Sequence, residues 1–393
     1  MPPILLDVTR LLYRKVRATL PTGIDRVSLA YVARHASSAR AVLSLGPFSA
    51  MLSRRDSEAA FRAVLSRDAP GRGLAALLVA KSFLWRWLVP PPRGSIVVNT
   101  GHTGLENPHY GLTLRARGAR LVTVIHDLIP ITHPRYCRPR EASVHATRML
   151  CAARASSAIV ANSRHTLDEF RDFCERSGVA CPPATVAPLA PGLAAASAGP
   201  ALLPGPYFVI LGTLEPRKNH ALLARLWPRL AASADAPRLV ILGQPGWKGR
   251  EISAAFEESK RGGRVIEKIG CGDEEVASWI AHARALLYPT FAEGYGLPAT
   301  EAIARGVPVI ASALEVFRET VGDIPEYAEP SDEARWLELI TDYAREGSAL
   351  RAAQVRRLQG FHAPTWEQHF AAVEALVSSL ESGGAARASD ALA

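Results

Sequence analysis

Eleven short apolar runs, alternating with stretches of helical spacing, dominate this chain of 393 residues. The first series is "ILLDV" (4–8), "AVLSL" (41–45), "SIVVNTG" (95–101), "LVTVIHD" (121–127), "AIVANS" (158–163) and "TVAPLA" (185–190). The second is "YFVILG" (207–212), "RLVILG" (238–243), "RVIEKIG" (264–270), "ALLYPT" (285–290) and "PVIAS" (308–312). Unbroken apolar runs mark parallel strands, because helices cover both faces of such a sheet. Between the series lies "APGLAAASAGPALLPGP" (190–206), whose Ala, Gly and Pro content reads as a linker. The pattern predicts two doubly wound Rossmann-like α/β domains, 1–195 and 196–381, that face each other across a cleft. The tail "SGGAARASDALA" (382–393) is expected to be disordered.

A hydrophobic share of 48% fits two buried cores. The formal charge is +9, which favours phosphate-bearing ligands or anionic surfaces. No RNP, zinc-finger or helix-turn-helix signature accompanies it, so nucleic acid is not an expected partner. Five cysteines without C-x-x-C spacing indicate neither a disulfide framework nor a zinc site, and a reducing, cytoplasmic setting fits. The start "MPPILLDVTR" does not read as a signal peptide. No run reaches the length of a membrane span. The nearest is "LAALLVAKSFLWRWLV" (74–89), which reads as a core helix or as a membrane-surface helix with Trp85 and Trp87 at headgroup level.

The strand "ALLYPT" leads into "FAEGYGLPATE" (291–301). Pro298 suits a first helical position, and Gly294 and Gly296 allow a ligand to approach the backbone closely. The free N–H groups of the helix start form an anion-ready site, with Glu293 before it and Glu301 in the expected first turn. On spacing alone, a solvated loop acid and a helix-dipole acid would look the same.

The whole stretch "FAEGYGLPATEAIARGVPVIAS" closely resembles the donor motif of the retaining glycosyltransferases of family 4, which have the GT-B fold. The resemblance implies that Glu293 contacts hydroxyls of the transferred sugar and that Glu301 binds the ribose. It also implies that the backbone of Tyr295, Gly296 and Leu297 faces the sugar and diphosphate. In "LGTLEPRKNH" (211–220), Lys218 matches the family's diphosphate-neutralising lysine. The arginine that many members place earlier is absent, which leaves Arg217 as the second cation. Gly243 and Gly246 of "LGQPGW" resemble the glycine loop beside the nucleotide, and "CGDEEVASWIAHA" is the region that contacts the base in relatives.

In the first domain, Gly23 of "LPTGIDRVSLAY" resembles the turn that closes over donor phosphates and acceptor. "VIHDLIPITHPRY" ends a strand with His126, placed to bond a sugar hydroxyl or the reacting oxygens, and Asp127, which orients the histidine or its loop. Asn162, Ser163 and Arg164 of "ANSRHT" are expected on the acceptor side. No D-x-D occurs, so metal independence and no cofactor are expected, with Lys218 and helix N-termini neutralising the diphosphate. The resemblance is closest to bacterial polysaccharide mannosyltransferases. It implies hexose transfer from a nucleotide sugar, GDP-mannose first, to a glycan or lipid-linked saccharide. The N-terminal domain would be the acceptor side, peripheral to an anionic membrane. A non-catalytic saccharide-binding paralogue, or a GT-B epimerase or phosphorylase, are the rival readings.

Overall fold

In the computed structural model the apolar runs become the strands of two sheets. The structure describes residues 2–45, 48–66, 73–74, 76–78, 80–81, 92–193, 199–231 and 236–390, with 45, 48 and 381–390 as backbone only. The first sheet contains β1 (Ile4–Asp7), β2 (Arg40–Leu45), β3 (Phe48–Met51), β4 (Ile96–Asn99), β5 (Arg120–Ile125), β6 (Ala158–Ala161) and β7 (Ala184–Val186). Its order is β3-β2-β1-β4-β5-β6-β7, and every pair is parallel except β2 with β3.

The second sheet contains β8 (Tyr207–Leu211), β9 (Arg238–Gly243), β10 (Val265–Ile269), β11 (Leu286–Tyr288), β12 (Val309–Ser312) and β13 (Glu326–Ala328). It is parallel throughout, in the order β10-β9-β8-β11-β12-β13. Alternate residues of β8 enter different cores. Tyr207 and Val209 pack with Leu286 and Ile303, whereas Phe208 and Ile210 pack with Leu226 and Trp227. Burial on both faces is why the strand reads as one apolar run. Both units are therefore doubly wound and Rossmann-like, as the run pattern predicts.

The strands β3 and β13 were not expected. Each is short, four and three residues, and neither carries an apolar run. The chain divides into two compact units, one of residues 1–131, 143–189 and 366–393, the other of 132–142 and 190–365. This differs from the expected division at 195/196, because two segments lie with the unit remote in sequence. Residues 132–142 join the second unit, where the Tyr136 ring stacks on Phe291 at 4.4 Å and 7°. The helix Trp366–Asp390 returns to the first unit. There Phe370 meets Tyr31 edge to face at 5.0 Å, and the Tyr31 hydroxyl donates to His369 Nε2 at 2.9 Å. The same helix runs through 382–390, where disorder was expected.

Of the stretch 74–89, Leu78 is buried, Leu77 is exposed, and Lys81 Nζ pairs with Asp56 at 3.0 Å. Trp85, Trp87 and Leu88 lie outside the described residues. No described helix is long and apolar enough to cross a membrane.

Candidate active site

Ligands of a doubly wound sheet bind beyond the carboxyl ends of the strands, where the strand order reverses. In the second sheet that point lies between β8 and β11. The loops that follow these strands, "GTLEPRKN" and "PTFAEGYG", therefore stand side by side. Pro216–Lys218 is a single tight turn, and Asn219, left-handed at φ 55°, redirects the chain into the helix His220–Leu230. Asn219 Nδ2 donates to the Pro330 carbonyl at 2.9 Å and fixes the bend.

This geometry gathers three of the predicted residues. Glu293 Oε1 accepts from Lys218 Nζ at 2.5 Å, Arg217 Nη1 at 2.7 Å and Thr290 Oγ1 at 3.1 Å. Arg217 also pairs with Glu215 at 2.7 Å and donates to the Ala292 carbonyl at 2.6 Å. Lys218 Nζ donates to the Tyr288 hydroxyl at 3.1 Å. The Phe291 N–H donates to the Arg217 carbonyl at 2.9 Å, which ties the two loops together. Burial pulls the Lys218 pKa down, and attraction to Glu293 restores it only in part because Arg217 repels it. Burial would raise the Glu293 pKa, but Arg217 and Lys218 outweigh it and hold the acid below its ordinary value. One carboxylate serving two cations produces both directions.

Gly243 stands where the loop after β9 meets this one. A Cβ there would lie 1.9 Å from the Gly212 carbonyl oxygen, and the Leu214 N–H donates to the Gln244 carbonyl at 2.9 Å. The close approach of two loops accounts for this glycine without a ligand. Gly294 and Tyr295 are buried, and the Tyr295 carbonyl accepts from Thr320 Oγ1 at 3.2 Å. Gly296, at φ 91°, caps the helix Leu297–Ala304, and a Cβ on it would stand 2.5 Å from the Phe317 ring. The N–H groups of Gly296 and Leu297 have no acceptor among the described residues.

Helix numbering corrects one expectation. Leu297, not Pro298, is the first helical residue, so Glu301 lies in the second turn. Its side chain is 3% exposed, and Oε1 accepts the N–H groups of Gly192 at 3.1 Å and Leu193 at 3.2 Å. Arg305 donates to the Leu193 carbonyl. Glu301 thus fastens the linker, a contact that no spacing in its own helix announces.

The first unit carries its own group at the carboxyl ends of β4, β5 and β6. His126 Nε2 donates to the Thr100 carbonyl at 2.7 Å, so the neutral ring presents Nδ1 as an acceptor. Burial lowers the His126 pKa and favours that neutral form. Asn162 Nδ2 donates to the His126 carbonyl at 2.9 Å. Ser163 caps the helix Arg164–Arg176 by accepting from the Thr166 N–H at 3.0 Å. Asp127 Oδ1 accepts the Ile129 N–H at 3.1 Å and so shapes its loop. Gly23 opens the helix Gly23–His35 after a capping box of Thr22 and Asp25. Asp25 in turn pairs with Arg10 at 2.7 Å and Arg14 at 2.8 Å. Among the described residues no group of three metal-ligating side chains occurs.

Residues 200–353 match the family model for glycosyl transferases group 1. The chain carries a glycosyl transferases group 1 domain. Over 270 residues it is 28% identical to the serotype-specific mannosyltransferase WbdA of Escherichia coli, covering 60% of this chain and 32% of that one. Over 137 residues it is 43% identical to the O-antigen chain mannosyltransferase RfbU of Salmonella typhimurium, covering 34% of this chain and 37% of that one. The chain thus spans about a third of the length of these curated relatives. Among solved structures it resembles HepE of Anabaena in complex with UDP and glucose, with a TM-score of 0.65 and 16% identity, covering 96% and 100% of the two chains. A sucrose-phosphate synthase from Thermosynechococcus elongatus gives a TM-score of 0.60 at 17% identity, with full coverage of both chains. These likenesses show the fold, which is GT-B.

Within the group 1 domain, reasoning from sequence missed Tyr288, Thr290 and Glu215, all of which touch the Lys218–Arg217–Glu293 cluster. Tyr288 and Thr290 were legible in principle, since one ends the strand whose loop carries Glu293 and the other lies at the start of that loop. Glu215 lies two residues before Arg217 in the same turn and had no motif to mark it.

Proposed function

We propose that this chain moves a mannosyl residue from GDP-mannose to a hydroxyl of a glycan or lipid-linked saccharide during polysaccharide synthesis, with retention at the anomeric carbon. The observation that carries the reading is the pair of cations, Lys218 and Arg217, sharing Glu293 at the switch point of a group 1 domain. The similarity to a serotype-specific mannosyltransferase and to an O-antigen chain mannosyltransferase supports the sugar and the setting.

An entering diphosphate competes with Glu293 for both cations, and the N–H groups of Gly296 and Leu297, without an acceptor among the described residues, suit the same anion. Glu293 is then released to accept sugar hydroxyls. The bond from the anomeric carbon to the phosphate oxygen breaks as the acceptor oxygen bonds that carbon from the same face. The leaving phosphate oxygen takes the acceptor proton. His126 Nδ1 suits a sugar hydroxyl, and the developing charge on the diphosphate is met by Lys218.

A screen of GDP-, UDP- and dTDP-sugars for binding and slow hydrolysis tests the reading. GDP-mannose should lead it, and turnover should survive EDTA because the sequence has no D-x-D to carry a divalent ion. Loss of activity in EDTA, restored by magnesium, would remove the metal-free account of the leaving group.

Glu301→Ala should weaken binding of free GDP at least tenfold, since hydrogen bonds to a charged group contribute about 1.5–3 kcal/mol each. The same change strands the Gly192 and Leu193 N–H groups, so thermal stability is measured alongside. A variant that melts lower but binds GDP unchanged would leave Glu301 only its linker-fastening role.

A further inference from the structure

The helix Thr9–Val16 and the loop after it present an unusual surface. Leu11 and Leu12 point into the core, while Tyr13 is 53% exposed and Val16 37%. Ala18, left-handed at φ 51°, then turns the chain, and every residue from Val16 to Pro21 is exposed, including Leu20 at 38%. Leu65 is exposed at the end of the helix Arg54–Leu65, beside this one, where Lys15 donates to the Ser66 carbonyl.

Charge on this surface is one-sided. Residues 8–30 hold five cations, Arg10, Arg14, Lys15, Arg17 and Arg26, against a single acid, Asp25. That acid is buried and already committed to Arg10, Arg14 and the Thr22 cap. Arg17 lies over the Tyr13 ring at 4.3 Å, so a cation and an aromatic leave the surface together. Apolar tips among an excess of Lys and Arg are what an anionic headgroup layer attracts. A protein interface is depleted of lysine at its core, which this surface is not.

We infer that Tyr13, Val16, Leu20 and Leu65, with Lys15 and Arg17, form the surface by which the chain docks on an anionic lipid leaflet. The inference rests on the lipid-linked acceptor reading, and it places the attachment at the first helix. The helix starts at the carboxyl end of β1, the sheet edge at which His126 stands. Docking there would bring that edge toward a lipid-borne acceptor.

The test is co-sedimentation of the full chain with vesicles of phosphatidylcholine, with and without phosphatidylglycerol. Binding should require phosphatidylglycerol and weaken as salt rises. Val16→Ser with Leu20→Ser should reduce it at least tenfold, and Arg17→Ser roughly fivefold. Both variants change exposed side chains, and their GDP binding should stay at the parent value. Wild-type protein that ignores anionic vesicles overturns the inference. So do folded variants that bind vesicles as before. Should the double variant fail to fold, Arg17→Ser alone decides. Failure of the glycosyltransferase reading appears elsewhere, as no nucleotide sugar bound while vesicle docking persists.

Discussion

Lys218→Ala should lower turnover by about a hundredfold or more while leaving the fold almost as stable as before. The first half follows from the proposed function, in which Lys218 meets the charge that grows on the diphosphate; such a donor is worth about 10²–10³ in rate. The second half follows from the shared carboxylate. Removing the lysine leaves Glu293 with Arg217 at 2.7 Å and Thr290 at 3.1 Å, so no buried charge is stranded. Burial, which already lowers the Lys218 pKa, means that part of a desolvation cost disappears with the side chain. Single-turnover rates and denaturant midpoints measured on one preparation separate the two effects. Full activity would assign the diphosphate to Arg217.

Glu293→Gln should do the opposite to stability. The carboxylate is the common partner of two cations, and removing one side of a buried pair costs about 3–5 kcal/mol. Its acidity gives the pH dependence. The Glu293 pKa is lowered in the fold, so its stabilisation is present above the ordinary glutamate value of about 4.3 and is lost as pH falls through the depressed one. The gap in denaturant midpoint between wild type and variant should therefore be wide at pH 7 and close on acidification. An equal midpoint at pH 7 would mean that Glu215 alone holds Arg217 and that Lys218 needs no acid. Activity should fall as well, because the cations lose the partner that positions them.

Most of the architecture was legible because strands buried on two faces leave unbroken apolar runs, as Tyr207–Leu211 does. The edge strands β3 and β13 left no such mark. Lys218, Arg217 and Glu293 were legible as a group through motif resemblance, yet their mutual pairing was not. It depends on strands 75 residues apart in the chain ending side by side. Glu301 shows the same limit from the other side. Its spacing from Glu293 is visible in the sequence, but its hold on Gly192 and Leu193 is a tertiary contact across more than a hundred residues.

The return of Trp366–Asp390 to the first unit sets the order in which a nascent chain can finish folding. A ribosome that has released residues 1–189 has made most of the first unit but not Trp366, His369 or Phe370. Until those emerge, Tyr31 lacks both rings that cover it and the ring nitrogen that accepts its hydroxyl. All of 190–365 is synthesised in that interval, so the second unit is complete before its predecessor is sealed. Such distant closure is slow, because loop entropy opposes it before the contact repays it. Translation thus runs from amino to carboxyl terminus, while consolidation of the two halves runs in reverse.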